Sequence, residues 1–374
     1  MRKIQMVDLQ SQYQKIKDTV DASIQEVLNS SAYINGPYVH EFQADLEKYL
    51  GVKHVIPCAN GTDALQIAMM GLGLEPGDEV ITADFTFAAT VEVIGLLKLT
   101  PVLVDVEPDT FNIDIDALKK AITPKTKAIV PVHLFGQCAN MEAVLEVANE
   151  HNLFVIEDNA QAIGADYTFA DGTKKKAGTM GNVGTTSFFP SKNLGCYGDG
   201  GAIFTNDDEL AHILRGMVNH GMYKRYYHDV VGVNSRLDSI QAAVLKAKLP
   251  LLDSYCDARR KAAEYYSNAF ADNPNIITPI ISDFTTHVFH QYTLRIINGK
   301  RDELHQHLLD KGIPNAIYYP VPLHAQKAYQ DNRYNETDFT VTNQLIDEVI
   351  SLPMHTELDE EQLAFITKTI NDFI

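Results

Sequence analysis

The chain has 374 residues, 45% hydrophobic and 21% charged, the balance of an ordinary soluble globular protein. Its length predicts two domains, and its formal net charge of -18 argues against nucleic acid and anionic membrane surfaces as partners. Cys58, Cys138, Cys196 and Cys256 form no CxxC pair, so neither a zinc site nor a redox dithiol is expected.

Free thiols suit a reducing cytoplasm, and MRKIQMVDLQ has no apolar leader run. The most apolar stretch, VEVIGLLKLTPVLV, is broken by Lys98 and Pro101 and predicts no membrane span. Strand-length apolar runs then alternate with helix-period segments. HVIPC (54–58) is the first strand candidate. ANGTDALQ comes next, with a turn at Asn60-Gly61 and a helix from near Thr62 that puts Ala64, Leu65, Ala68 and Leu72 on one face. Free N–H groups at such a helix start, a glycine and the Thr62 hydroxyl can cradle a phosphate, though ordinary helix capping explains the same residues.

EVITA (79–83) is the next strand, and ADFTFAAT places Phe85 and Phe87 just after it. One of these rings can stack on a planar ligand, or both can belong to the core. TPVLVDV (100–106), AIVPVHL (128–134) and LFVIED (153–158) continue the strands, with IDALKKAI and MEAVLEVANEH as helices between them. Asp158 ends a buried strand and Gln161 lies on the next turn. A carboxylate there can hold a proton on a ring nitrogen, with the amide near a ring hydroxyl; it can equally cap a helix or bind Mg²⁺.

GTTSFF (184–189) and GAIFTN (201–206) flank SFFPSKNLGCYGDGG. Ser187 ends a strand and Lys192 comes after it among aromatic, small and glycine residues. A lysine enclosed in this way titrates below its usual value of roughly 10 and can attack a carbonyl to form a Schiff base. Gly198, Gly200 and Gly201 precede a strand, so they are no dinucleotide loop; they let backbone pass closely beneath a site. Residues 220–236 gather His220, Lys224, Arg225, His228 and Arg236 in an acidic chain. That reversal marks an anion site, with Arg236 favoured for a carboxylate or phosphate, or else a solvated loop. His133 and His324 are read as structural or substrate-facing, and neither is assigned to catalysis.

Beyond about residue 245 the pattern changes. A long helical stretch broken at Pro250 leads to a strand (HQYTLRI), a helix (RDELHQHLLDKG), the Pro-rich YYPVPLH and two closing helices. The predicted fold is α/β, a mostly parallel sheet with helices and the site at the strand C-termini. The division falls between a cofactor-binding domain, residues 1–248, and a smaller C-terminal α/β domain, 249–374. A phosphate anchor, a stacking ring, a carboxylate for a pyridine nitrogen and a Schiff-base lysine are together what pyridoxal 5'-phosphate requires.

VDLQSQY, INGPYVHEF, CANGTDALQIA, FTFAAT, VPVHLFGQ, VIEDNAQAIGA, SFFPSKNLGCYGDGGAIFTND, VNSRLDSIQAA and YYPVPLH cover nearly the whole chain. In these motifs it resembles the DegT/DnrJ-type sugar aminotransferases, pyridoxal-phosphate enzymes of the aspartate-aminotransferase fold (fold type I). The resemblance implies that Lys192 carries the cofactor and moves the proton, while Asp158 pairs with the pyridinium nitrogen. It implies Gln161 beside the ring hydroxyl, Gly61, Thr62 and Ser187 on the phosphate, and Phe87 on the ring. Asn234 would reach a phosphate across the interface of a homodimer with its sites at that interface.

Within the family the chain is similar to enzymes that aminate C3 of a UDP-linked 3-keto-N-acetylglucosaminuronic acid with L-glutamate, for lipopolysaccharide and other surface polysaccharides. Tyr318-Tyr319 stands where those enzymes have His-Tyr, so this pair bears on the sugar. The alternatives are a dTDP- or UDP-4-keto-sugar acceptor, or a regulator that binds pyridoxal phosphate or a nucleotide sugar without turnover. Sugar dehydratases of this fold typically carry histidine in place of the lysine, and Lys192 argues against them. Without a strand–GxGxxG–helix unit, an NAD-dependent oxidoreductase is disfavoured.

Overall fold

The computed structural model describes residues 2–374. The first elements in chain order are α1 (Leu9–Ser30), α2 (Pro37–Leu50), β1 (His54–Cys58), α3 (Gly61–Gly71), β2 (Glu79–Ala83), α4 (Ala89–Leu96) and β3 (Thr100–Val104). Then come α5 (Ile115–Ala121), β4 (Thr126–Val130), α6 (Met141–His151), β5 (Phe154–Asp158), β6 (Asp166–Thr168), β7 (Lys174–Lys176), β8 (Val183–Ser187) and β9 (Gly201–Thr205). After them lie α7 (Asp208–Met217), β10 (Met222–Lys224), β11 (Tyr227–His228), α8 (Ser239–Lys248) and α9 (Leu252–Phe270). The chain closes with β12 (Ile276–Ile277), β13 (Tyr292–Ile296), α10 (Arg301–Asp310), α11 (Thr340–Glu348), β14 (Val349–Leu352) and α12 (Glu360–Phe373).

Seven strands form the central sheet in the order β1-β9-β8-β5-β4-β2-β3. β9 runs antiparallel to both its neighbours, and the other pairings are parallel. Successive strand residues face opposite sides. Val55, Ile81, Ile129 and Val155 join one apolar core, with α2, α6 and α8. Their neighbours Ile56, Val80, Ala128 and Ile156 join a second core on the other face, with α3, α4 and α7. Burial on both faces is why these strands read as continuous apolar runs rather than alternating ones.

A third core gathers α9, β13, β14, α10 and α12 around Tyr266, Tyr292, Ile350 and Ile366, and Ile4 from the N-terminal segment packs into it. β12, β13 and β14 form its antiparallel sheet. Pro250 sits in a single 3-10 turn that divides the long helical stretch into α8 and α9. This fits the loss of a backbone donor at proline.

Several boundaries expected from the sequence move. The TPVLVDV strand ends at Val104, because the Asp105 carboxylate turns to accept from the Val341 and Thr342 amides. The AIVPVHL strand ends at Val130, before Pro131. VISL, which the sequence reading did not single out, is the buried strand β14 between the two closing helices. Among the described residues, no helix is long and apolar enough to cross a membrane.

Candidate active site

A cavity of ≈ 710 Å³ opens where the C-terminal ends of β1, β2, β5 and β8 converge. Gly61, Thr62, Phe87, Asp158, Gln161, Ser187, Lys192, Tyr318 and Tyr319 all line it. Such a crevice beyond the strand ends is where α/β sheets bind ligands.

At its floor, Asn60 caps α3. Its side chain accepts from the Asp63 amide and its carbonyl from that of Ala64. The Gly61 and Thr62 N–H groups have no partner among the described residues at the helix N-terminus, where the dipole favours an anion. A Cβ on Gly61 would stand 2.7 Å from Ser187 Cβ, so glycine lets the helix start close against the end of β8. Gly201 is equally constrained: a Cβ there would lie 2.4 Å from the Asn60 backbone. Gly201 thus lets β9 start close against the turn that opens α3.

Lys192 stands on an irregular loop pinned at several points. Its N–H donates to Phe189 O at 2.8 Å, Cys196 N to Phe188 O at 2.8 Å, and Lys248 Nζ to Gly195 O at 2.8 Å. Dehydration in the cavity pushes the Lys192 ammonium down to about 8, against the attraction of Asp158. Lys248 is also pushed down to about 8 by burial. Its amine, however, is held by a carbonyl and lies over the Tyr197 ring at 4.5 Å, outside the cavity lining. A low pKa is therefore shared by both lysines, and access to the cavity separates them.

Asp158 is buried at the end of β5. Thr90 Oγ1 donates to its Oδ2 at 2.8 Å and Ala160 N to its Oδ1 at 3.1 Å. These bonds fix the carboxylate while it still borders the cavity. Gln161 accepts from Phe135 N at 2.7 Å and donates to Tyr319 Oη at 3.2 Å. Phe87 is 58% exposed at the cavity and lies 6.4 Å from the Tyr319 ring, whereas Phe85 is buried among Phe111, Phe135 and Tyr319. Of the two phenylalanines that the sequence left open, Phe85 belongs to the core and Phe87 borders the cavity.

Asn234 and Arg236 lie outside the cavity lining. Asn234 is exposed, in a bridge to Asn219, while Ser235 beside it accepts from the Ala59 amide and ties this segment to the α3 cradle. Arg236 has no ion pair among the described residues. His133 is fully buried, with Nε2 donating to Glu157 at 2.9 Å and Nδ1 accepting from Ala139 N, so both nitrogens are engaged within the fold. His324 faces Asp84 rather than the cavity.

Sequence reasoning missed Thr86 and His290. Both line the cavity, and Thr86 Oγ1 and His290 Nδ1 are buried without a partner among the described residues. Burial and the nearby Lys192 and Arg259 charges hold His290 well below its usual range, so it is neutral. Thr86 lies within the FTFAAT motif, but the HQY context of His290 offers no catalytic spacing.

A free helix N-terminus, an enclosed lysine, an anchored carboxylate and unpartnered polar atoms in one cleft fit pyridoxal 5'-phosphate, and they define an aminotransferase site. The chain belongs to the DegT/DnrJ/EryC1/StrS aminotransferase family, whose model matches residues 14–371. It is 46% identical to a pleiotropic regulatory protein of Geobacillus stearothermophilus, over 99% of this chain and 98% of that one. It is also 46% identical to the UDP-2-acetamido-2-deoxy-3-oxo-D-glucuronate aminotransferase of Pseudomonas aeruginosa, over 99% of this chain and 100% of that one. The crystal structure of DesV of S. venezuelae, in complex with a ketimine intermediate, superposes with a TM-score of 0.95 at 38% identity, covering 100% and 99% of the two chains. The fold is that of pyridoxal-phosphate fold type I, and the protein is a pyridoxal-phosphate-dependent aminotransferase.

Proposed function

We propose that this aminotransferase moves an amino group from L-glutamate to C3 of a UDP-linked keto-hexose or keto-hexuronate, in the cytoplasm, for surface-polysaccharide biosynthesis. The observation that carries the reading is the convergence of Lys192, Asp158, the α3 N-terminus and Phe87 on one cavity, in a chain 46% identical to the P. aeruginosa enzyme.

The Gly61 and Thr62 amides, the Thr62 hydroxyl and Ser187, all at the cavity, would hold the cofactor phosphate. Phe87 and Gln161, which line the same cavity, would cover the ring and meet its hydroxyl side. The Asp158 carboxylate, oriented by Thr90, keeps the ring nitrogen protonated. Bound pyridoxal phosphate supplies the carbonyl that takes up the amine and the electron sink for the carbon that loses its proton. Lys192, partly neutral near pH 7, takes that proton and returns it on the other side of the transfer. Tyr318 and Tyr319 form the wall that meets the acceptor sugar.

The working unit is a homodimer in this reading. The 220–236 segment exposes Tyr226 and Val231, and Arg236 is left without an anion. Asn234 then reaches the phosphate of the other subunit's cofactor, and Arg236 a substrate carboxylate or phosphate. The division into units 1–248 and 249–374 is likewise proposed, supported by the separate core around Tyr266 and Ile350.

The test is a glutamate-dependent assay across UDP- and dTDP-linked 3-keto- and 4-keto-sugars, with product mass and NMR. Turnover confined to 4-keto or dTDP sugars would replace the acceptor proposed here. The name of the Geobacillus relative favours a second reading, a regulator that binds without turnover. Cofactor colour unchanged by glutamate and by every sugar of the panel would support it.

A further inference from the structure

The wall that carries Tyr318, Tyr319 and Pro320 has neither helix nor strand of its own. On its N-terminal side Ala316 is paired with Ser351, and Tyr319 Oη accepts from Gln161; on its C-terminal side the segment is held by the 3-10 turn at Leu323–Ala325 and the carboxylate that this turn grips. His324 is bound twice by that carboxylate. Its backbone N–H donates to Asp84 Oδ1 at 2.7 Å, and its ring Nδ1–H donates to Asp84 Oδ2 at 2.7 Å. The Leu323 amide adds a bond to the Asp84 carbonyl at 3.3 Å. The His324 ring lies flat on Phe339, with centroids 4.3 Å apart, and its Nε2 faces Glu336 at 3.3 Å.

Asp84 is fully buried, and its amide is bonded to Val104 O at 2.9 Å, at the edge of the sheet. Burial pushes its carboxyl upward, and the His324 bonds oppose that. A buried carboxylate in such a place requires partners. Two and three residues beyond it, Thr86 and Phe87 line the cavity. Asp84 thus joins two walls of one site, the Phe87 wall that faces the cofactor and the Tyr318–Tyr319 wall. The rings of Phe85 and Phe87 meet Tyr319 at 5.9 and 6.4 Å across that joint.

We propose that the Asp84–His324 pair is a latch that sets Tyr318 and Tyr319 over the acceptor sugar, which makes His324 a positioning residue for acceptor recognition. It touches neither cofactor nor substrate. The latch rests on the proposed function, in which these tyrosines meet the sugar.

The two ring nitrogens give the test its resolution. An asparagine amide can take the place of Nδ1 and keep the bond to Asp84. A glutamine amide takes the place of Nε2, keeping Glu336 and losing the side-chain bond to Asp84 Oδ2, while the backbone N–H keeps its bond to Oδ1. In the holoenzyme, His324→Gln should raise the keto-sugar KM about 10-fold or more. The rate at which glutamate bleaches the cofactor should stay within about 2-fold, since the latch acts on the acceptor wall. His324→Asn should restore the sugar KM to within about 3-fold of the parent. If His324→Gln does not fold, Asp84→Asn keeps the shape, loses the charge and should raise the sugar KM about 3-fold.

Equal losses in both half-reactions, or equal behaviour of the asparagine and glutamine variants, would overturn the latch. Tyr318→Ala separates the two levels of the claim. If it leaves the sugar KM unchanged, the reading of the tyrosine wall fails and the latch with it. If it raises the KM while His324→Gln does not, the wall stands and the latch alone is wrong.

Discussion

The sharpest quantitative expectation concerns the Lys192 amine before any cofactor is loaded. Enclosure lowers it from the ordinary 10.5 to about 8. At pH 7 the neutral fraction is then about 10%, against about 0.03% for an ordinary lysine, a gain of roughly 300-fold in reactive amine. Brief reductive methylation of the apoprotein between pH 6 and 10, read by mass spectrometry on the Lys192 peptide with exposed Lys98 as reference, measures the midpoint directly. Asp158 pulls the other way, because its carboxylate favours the ammonium. Asp158→Asn should therefore move the Lys192 midpoint further down. The same enclosure acts on stability. A lysine whose folded pKa is depressed opposes folding fully below about 8, less so from there to 10.5, and not at all above. The cost at pH 7 is at most roughly 3 kcal/mol, so Lys192→Met should raise the apoprotein Tm at pH 7 and change it little above about pH 10.5. A Lys192 midpoint near 10, or a rise on Asp158→Asn, would refute the reasoning that makes this lysine the nucleophile.

Three further substitutions probe the site. Asp158→Ala should lower kcat by about 100-fold or more while moving Tm far less, in steady-state kinetics paired with thermal melts; near-parent activity would remove Asp158 from its role. Gly61→Ala forces a Cβ to 2.7 Å from Ser187 Cβ, a strain of about 1–3 kcal/mol, and should weaken cofactor binding about 10-fold or more by fluorescence titration. Arg236→Ala should raise the sugar KM about 10-fold with no change in glutamate bleaching, and an unchanged KM would end its assignment to a substrate anion.

The strands of the sheet were legible because burial on both faces leaves little but apolar residues. HVIPC and EVITA coincide with β1 and β2, end to end. α1 went unread, as only Val20 and Val27 of its residues are buried, too few to stamp a helical period. The β6–β7 hairpin includes Lys174–Lys176, three lysines that carry no strand signature. VISL is too short for periodicity to tell strand from helix.

The candidate site was legible wherever its chemistry is local: the lysine loop, the helix start after Asn60, the acid at the end of β5. It was illegible where it depends on distant partners. Asp84 and His324 stand 240 positions apart, and nothing near either one announces the other. His290 and Thr86 become noticeable only when their unpartnered atoms are seen to border the same cavity as Lys192.

The central claim is that one cavity passes an amino group from glutamate to a nucleotide-linked keto-sugar through Lys192. Stopped-flow absorbance of the holoenzyme tests it most directly. The visible cofactor band should bleach with L-glutamate, return on addition of a UDP-3-keto-sugar, and be missing in Lys192→Ala. A band that glutamate bleaches but no nucleotide keto-sugar restores would contradict the acceptor, and a band indifferent to both would contradict the account as a whole.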